Sequence, residues 1–474
     1  SGGAGITPRP HLPALPVGGP YEVTGVSETA SRRKIFVCRP TAPSEEEACA
    51  RQIVEDLATR AYRRPATEVE VDGLMTFYRT GEEKGGFERG VRDALEAVLA
   101  SPFFVLRLER EPGGVDAGDA YRVGDIELAS RLAFFLWGTP PDEELLEVAR
   151  EGDLNEEREL ERQTRRMLAD PRAQALGNRF AAQWLRLQDL YKVRPDPNFY
   201  PNFDETLANA MQTETEMFFN HLVQEDRDAL ELFNANYTFV NERLANHYGM
   251  QGVAGGHFRQ VEYTDGVRSG LLGQGSILVL TSLANRTSPV LRGKWVMEVL
   301  MGTPPPPQPP GVPDLDDTEG TQEGKRLTTR ERMEVHRANP TCNACHRFMD
   351  PIGLALDNFD VTGTWRVREN GMPLDTRGEF YDGSPITNPK EVADALLRRP
   401  VPLMRSLTEN LMAYALARRV EYFDQPTIRR IVAEAENDGQ YRMQSLILGV
   451  VQSEAFRMKQ AADATAQVEA GLDR

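Results

Sequence analysis

The 474-residue chain is short of thiols, of positive charge and of long apolar runs. Cysteine occurs four times and histidine six, which excludes a disulfide-framed small fold and leaves each thiol to be placed individually. Lys and Arg number 55 against 72 Asp and Glu, a formal charge of −17. A phosphate backbone requires a basic face and anionic lipid attracts one, so nucleic acid is not an expected partner and neither is a lipid surface. No apolar run reaches the roughly 20 residues of a membrane-crossing helix, so membrane insertion is not expected. Phosphate-cradling glycine loops, nucleophile elbows and internal repeats are likewise missing. The opening SGGAGITPRPHLP has the pattern of neither a signal peptide nor an anchor and reads as a processed or trimmed amino terminus.

What is present reads mainly as α-helix arranged in several domains. Residues 1–47 form an extended, β-like N-terminal tail containing PYEVTGV and RKIFVC. In 48–112, Ile53, Leu57 and Ala61 in one segment and Val91, Leu95, Val98 and Leu99 in another recur at helical spacing and predict a helical pair. Residues 118–250 predict a helical bundle, beginning with DIELASRLAFFLWGTPP, capped by Asp125 and stopped by Gly138, Pro140 and Pro141. One of its helices places Leu207, Met211, Glu214, Phe218 and His221 on a single stripe, the pattern of a buried ion pair or hydrogen-bonded core histidine more than of a catalytic pair. Residues 251–375 hold the proline run TPPPPQPPGVP, read as an extended arm, the acidic loop DLDDTEGTQEGK and then PTCNACHRFMD; 376–474 form a C-terminal helical domain.

CNACH carries the chemistry. With four Cys and six His scattered at random, such a pentapeptide would arise in about one sequence of this length in two thousand, so it stands above coincidence. Two thiols three residues apart can each form a thioether with one porphyrin while the adjacent imidazole meets the iron, so Cys342 and Cys345 read as attachment sites of one covalent haem c and His346 as its axial ligand. Zinc fits less well, because the side chains of the neighbours Cys345 and His346 diverge along a helix. A redox Cys-x-x-Cys lacks the expected βαβ setting, ERMEVHRANP being a charged run. Pro351 is read as a helix stop, with a carbonyl of its region accepting the Nδ1 proton of His346. Haem c is attached outside the cytoplasm, and Cys38 and Cys49 accordingly suggest a disulfide closing a short loop, the alternative being two independent thiols.

Five stretches extend the reading to a family: LATRAYRRPATEVEV with GGFERGVRDALEAVLASPFFVLRLE, ELASRLAFFLWGTPPDEELL, RTSPVLRGKWVMEVLMGTPPPP, HRANPTCNACHRFMDPIGLALDNFDVTGTWR, and LTENLMAYALARRVEYFD with SEAFRMK. In this order they resemble the planctomycete-type and myxobacterial-type haem c proteins assembled from a fixed series of domains of unknown function. The resemblance runs from about Arg32 to Lys459. It implies a periplasmic or secreted protein whose C-terminal part binds haem in a cytochrome c-like manner. It also selects further site residues. Met458, in the closing motif, is the favoured second axial ligand, whereas Met404, Met412 and Met443 sit on apolar stripes and read as core. His336 is a distal ligand, a propionate partner or a surface histidine. Arg292, Trp295, Trp365 and Arg366 are propionate partners or ordinary core-pairing residues. Asp350, Asp357 and Asp360 read as helix and turn caps. Electron transfer to a redox partner protein or complex is the leading expectation; a peroxidase- or oxygenase-like oxidoreductase and a structural subunit of a larger redox assembly are the alternatives.

Overall fold

The structure, a computed structural model, describes residues 27–306, 321–322, 325–326, 328–369, 371–437 and 439–461, with positions 18 and 21. The proline arm from residue 307 and the acidic loop up to 320 lie outside the described residues, as does PYEVTGV apart from Tyr21. The protein is mainly helical, and its contacts divide it into two compact units, Ser1–Leu108 and Glu109–Arg474. Among the described residues, no helix is long and apolar enough to cross a membrane.

In the first unit the expected helices, Glu46–Tyr62 and Phe87–Ala100, are joined by a third, Glu68–Gly85. Its EVEV opening alternates like a strand, but Thr67 and Glu70 satisfy each other's backbone N–H groups in a capping box and commit the segment to helix. Ile53 and Ala58, Leu74 and Tyr78, and Val91 and Val98 meet in one core. The RKIFVC run is not extended as expected: Ala30–Ile35 is a short helix whose first turn is capped by the Thr29 side chain. Cys38 and Cys49 are joined by a disulfide, with 5.8 Å between their Cα atoms.

Most helices of the larger unit gather around an extended apolar core that includes Trp137, Phe180, Phe218, Trp295 and Phe456, and a second, smaller core joins Leu207, Met211, Val240, Leu244 and Val279. Sheet is minor, and every sheet among the described residues is a two-stranded antiparallel pair. One such pair joins Ala120–Arg122 to Met458–Gln460 and so ties the start of the unit to its end. The clasp is reinforced by the Val123 N–H donating to the Arg457 carbonyl at 2.9 Å and by Arg131 donating to the Phe456 carbonyl at 2.6 Å. Asp125 opens its helix without capping it; its carboxylate accepts from the Leu154 N–H at 2.8 Å and holds the 154–155 turn instead.

Helix Glu205–Gln224 carries the Glu214/His221 stripe, and the two side chains do not pair. Glu214 is fully buried and accepts from the Thr238 and Tyr248 hydroxyls, each at 2.6 Å. Burial pushes its carboxyl up to about 7, against the pull of those hydroxyls and of Arg268. His221 packs against Tyr237 and Phe239, with ring centroids at 5.5 and 5.3 Å.

CNACH lies on the helix Pro340–Ala355, which Asn339 caps by accepting from the Thr341 N–H. Pro351 does not stop this helix as expected. A proline there forfeits one backbone hydrogen bond, and packing on both flanks offsets the loss. On one flank the helix crosses Pro289–Trp295 at backbone contact: a Cβ on Gly293 would lie 1.8 Å from the Met349 carbonyl oxygen, and one on Gly353 would lie 1.7 Å from that of Pro289. On the other flank Gly378 lies so close that its Cβ would stand 2.8 Å from that of Pro351.

Candidate haem-attachment site

Positions 342, 345 and 346 stand at i, i+3 and i+4, so one face of one helix presents both thiols and the imidazole. Cys342 and Cys345 are free thiols, half-buried, and His346 is half-buried beside them. His346 Nδ1 lies 2.9 Å from Asp350 Oδ1, one helical turn along. With the ring anchored through Nδ1, the nitrogen left to meet a metal is Nε2. The expected carbonyl partner near Pro351 is therefore replaced by a carboxylate. Asp350 is 0 % exposed; its Oδ2 makes no hydrogen bond among the described residues, and the Arg337 guanidinium stands 3.7 Å from it. Sequence reasoning read Asp350 as a cap, yet it lies in the helix interior where no free N–H needs one; the i+4 spacing from His346 was the available signal.

His336 comes from the preceding helix, Thr329–Arg337, and sets its ring edge against His346, with centroids 4.8 Å apart and planes at 68°. Burial and the neighbouring His346 hold the His336 imidazole below its ordinary value.

The remaining candidates are distributed differently. Arg292 is 1 % exposed and donates to the carbonyls of Leu356, Phe359 and Asp360 at 2.6 to 2.9 Å, and to the Ser282 hydroxyl at 3.2 Å; its Nε makes no hydrogen bond among the described residues. Arg366 donates to Thr287 at 2.8 Å and to Asp357 and Glu369 at 3.2 Å. Asp357 is fully buried, and burial pushes its carboxyl up while Arg366 and Arg292 pull it down. The two arginines thus brace the loop that leaves the CNACH helix. Trp295 donates to the Leu185 carbonyl at 3.3 Å in the core, and Trp365, 36 % exposed, packs edge-on against Phe359 at 5.1 Å. Met458 sits in the clasp strand, opposite Arg122. Met404, Met412 and Met443 are fully buried core residues, and Asp360 caps the turn that follows by accepting from the Thr362 and Thr364 N–H groups.

An open cavity of about 860 Å³ lies along the opposite face of the helix, lined there by Arg347, Phe348, Pro351 and Leu354. Among the described residues no group of three or more His, Cys, Asp or Glu side chains is placed to hold a metal ion by itself.

The donor set fits a covalently attached haem: two free thiols and an imidazole share a face, and a buried carboxylate fixes which ring nitrogen is presented. Residues 49–109, 123–250, 268–369 and 382–456 match, in that order, four family models, each described as a protein of unknown function: DUF1595, DUF1592, DUF1588 and DUF1585. The chain carries the planctomycete-type cytochrome-associated domain series, and CNACH falls inside the DUF1588 match. No curated protein and no solved structure matches it.

Proposed function

We propose that this is a c-type haem protein acting outside the cytoplasm, with one haem attached through Cys342 and Cys345 and held axially by His346, and that it passes electrons to a redox partner protein or complex. The shared face of Cys342, Cys345 and His346 carries the reading. The bound haem supplies a one-electron iron centre. The chain's own part is to hold the ring by two thioethers, to present His346 Nε2, and to keep that imidazole from turning through Asp350. The Cys38–Cys49 disulfide supports an oxidising, periplasmic or extracellular location. The Cys342→Ala/Cys345→Ala double variant should lose all haem that survives denaturation, read by haem staining on a denaturing gel; undiminished stain would overturn the attachment.

Met458 remains the proposed second axial ligand. His336, whose ring lies 4.8 Å from that of His346, stays a candidate for a distal ligand or a propionate partner. The second reading is a haem-dependent oxidoreductase, with which the Asp350 contact is equally consistent. A carboxylate on the proximal imidazole strengthens donation to iron, which suits reaction with an oxidant as well as electron relay. The optical spectrum with and without cyanide or carbon monoxide separates the two. A low-spin spectrum indifferent to both ligands supports relay through two tight axial groups, and a high-spin spectrum that shifts supports an open iron.

A further inference from the structure

Resting on the haem reading above, we infer that Asp350 is a positioning residue that tunes His346, making the iron harder to reduce than a carbonyl-held histidine would. Asp350 is fully buried, sits one turn after His346 and receives Nδ1 at 2.9 Å. It caps nothing, since the helix continues to Ala355, and its second oxygen makes no hydrogen bond among the described residues. Its place is fixed. The half of the helix that carries it is pinned by the Gly293 and Gly353 backbone contacts with Pro289–Trp295. Arg337, 3.7 Å from Oδ2, and the His336 ring, 4.8 Å from that of His346, enclose the pair from the preceding helix.

The chemistry follows from the acceptor. A carboxylate draws the Nδ1 proton more strongly than a neutral carbonyl does and so leaves more negative charge on the ring. Nε2 then donates more strongly to iron. That charge stabilises the ferric state more than the ferrous, and the midpoint potential falls. No group is consumed and no co-reactant is needed.

The test is spectroelectrochemical titration of the full holoprotein, with covalent haem verified on a denaturing gel. Asp350→Asn is expected to keep its haem and to raise the midpoint by at least the equivalent of a tenfold change in the ferric-to-ferrous ratio, about 59 mV for one electron. Asp350→Glu, which retains a carboxylate, should stay closer to the parent. A residue that only held the helix together would leave the potential of both unmoved, and an unmoved Asp350→Asn with haem in place overturns the inference while the haem reading stands. Should Asp350→Asn fail to fold, Arg337→Gln decides: removing the cation beside the carboxylate should shift the midpoint downward, and no shift counts against the inference. Absence of covalent haem from the parent protein overturns both.

Discussion

Glu214 shows what one buried side chain does to the whole protein's response to pH. Its carboxyl, ordinarily near 4.5, is raised to about 7 because burial penalises the charged form more than Thr238, Tyr248 and Arg268 favour it. A raised carboxylate detracts from stability where the unfolded chain ionises and the folded one resists. The effect is absent below about pH 4.5, grows as pH rises toward 7 and is constant beyond, reaching about 3 kcal/mol. Glu214→Gln should therefore flatten the change in stability between pH 5 and pH 8, measured by chemical denaturation; an unchanged slope would show that another group is responsible. The sequence placed Glu214 correctly among core residues from the 3.6-residue period but assigned it the wrong neighbour. His221 was seven positions away on the same stripe, while Thr238 and Tyr248 arrive from other elements that periodicity does not register. Cys342, Cys345 and His346 were legible for the converse reason: their relation is local to one helical turn.

At the level of elements, the crossing of Pro289–Trp295 with Pro340–Ala355 is the contact on which the candidate site depends. Each helix gives a glycine at the point where the other's backbone passes, so neither tolerates even a methyl group. Gly293→Ala and Gly353→Ala should each destabilise by at least about 3 kcal/mol, the upper range for overpacking a tight contact, because backbone and not a flexible side chain would have to move. Urea denaturation checks this, and a loss under 1 kcal/mol would mean that the helices separate easily. Both glycines stand in the sequence with nothing to mark them as facing one another. Arg292 and Trp295 were selected from the same segment for a ligand, and the structure spends most of their donors on carbonyls inside the fold. Whether an arginine serves a ligand or a loop depends on where distant carbonyls end up, and local pattern carries no trace of that.

On the scale of the whole molecule, the two units have separate cores, and the Cys38–Cys49 disulfide lies within the smaller one. The Cys38–Cys49 link closes a loop with a sequence separation of 11. Breaking it should cost the smaller unit about 3 kcal/mol by the chain-entropy account. Amide exchange with and without reductant should show faster opening in peptides from 46–100 and unchanged exchange in 340–355; equal acceleration in both would mean that the units unfold together.

The clasp of Ala120–Arg122 with Met458–Gln460 has a consequence in time. A chain is made from one end, so the strand that closes the larger unit is among the last of its parts to appear. Cys342 and Cys345 emerge before it by an interval on the order of ten seconds at ordinary rates of synthesis. The helix that carries them thus exists for that interval in a unit whose two ends are not yet joined.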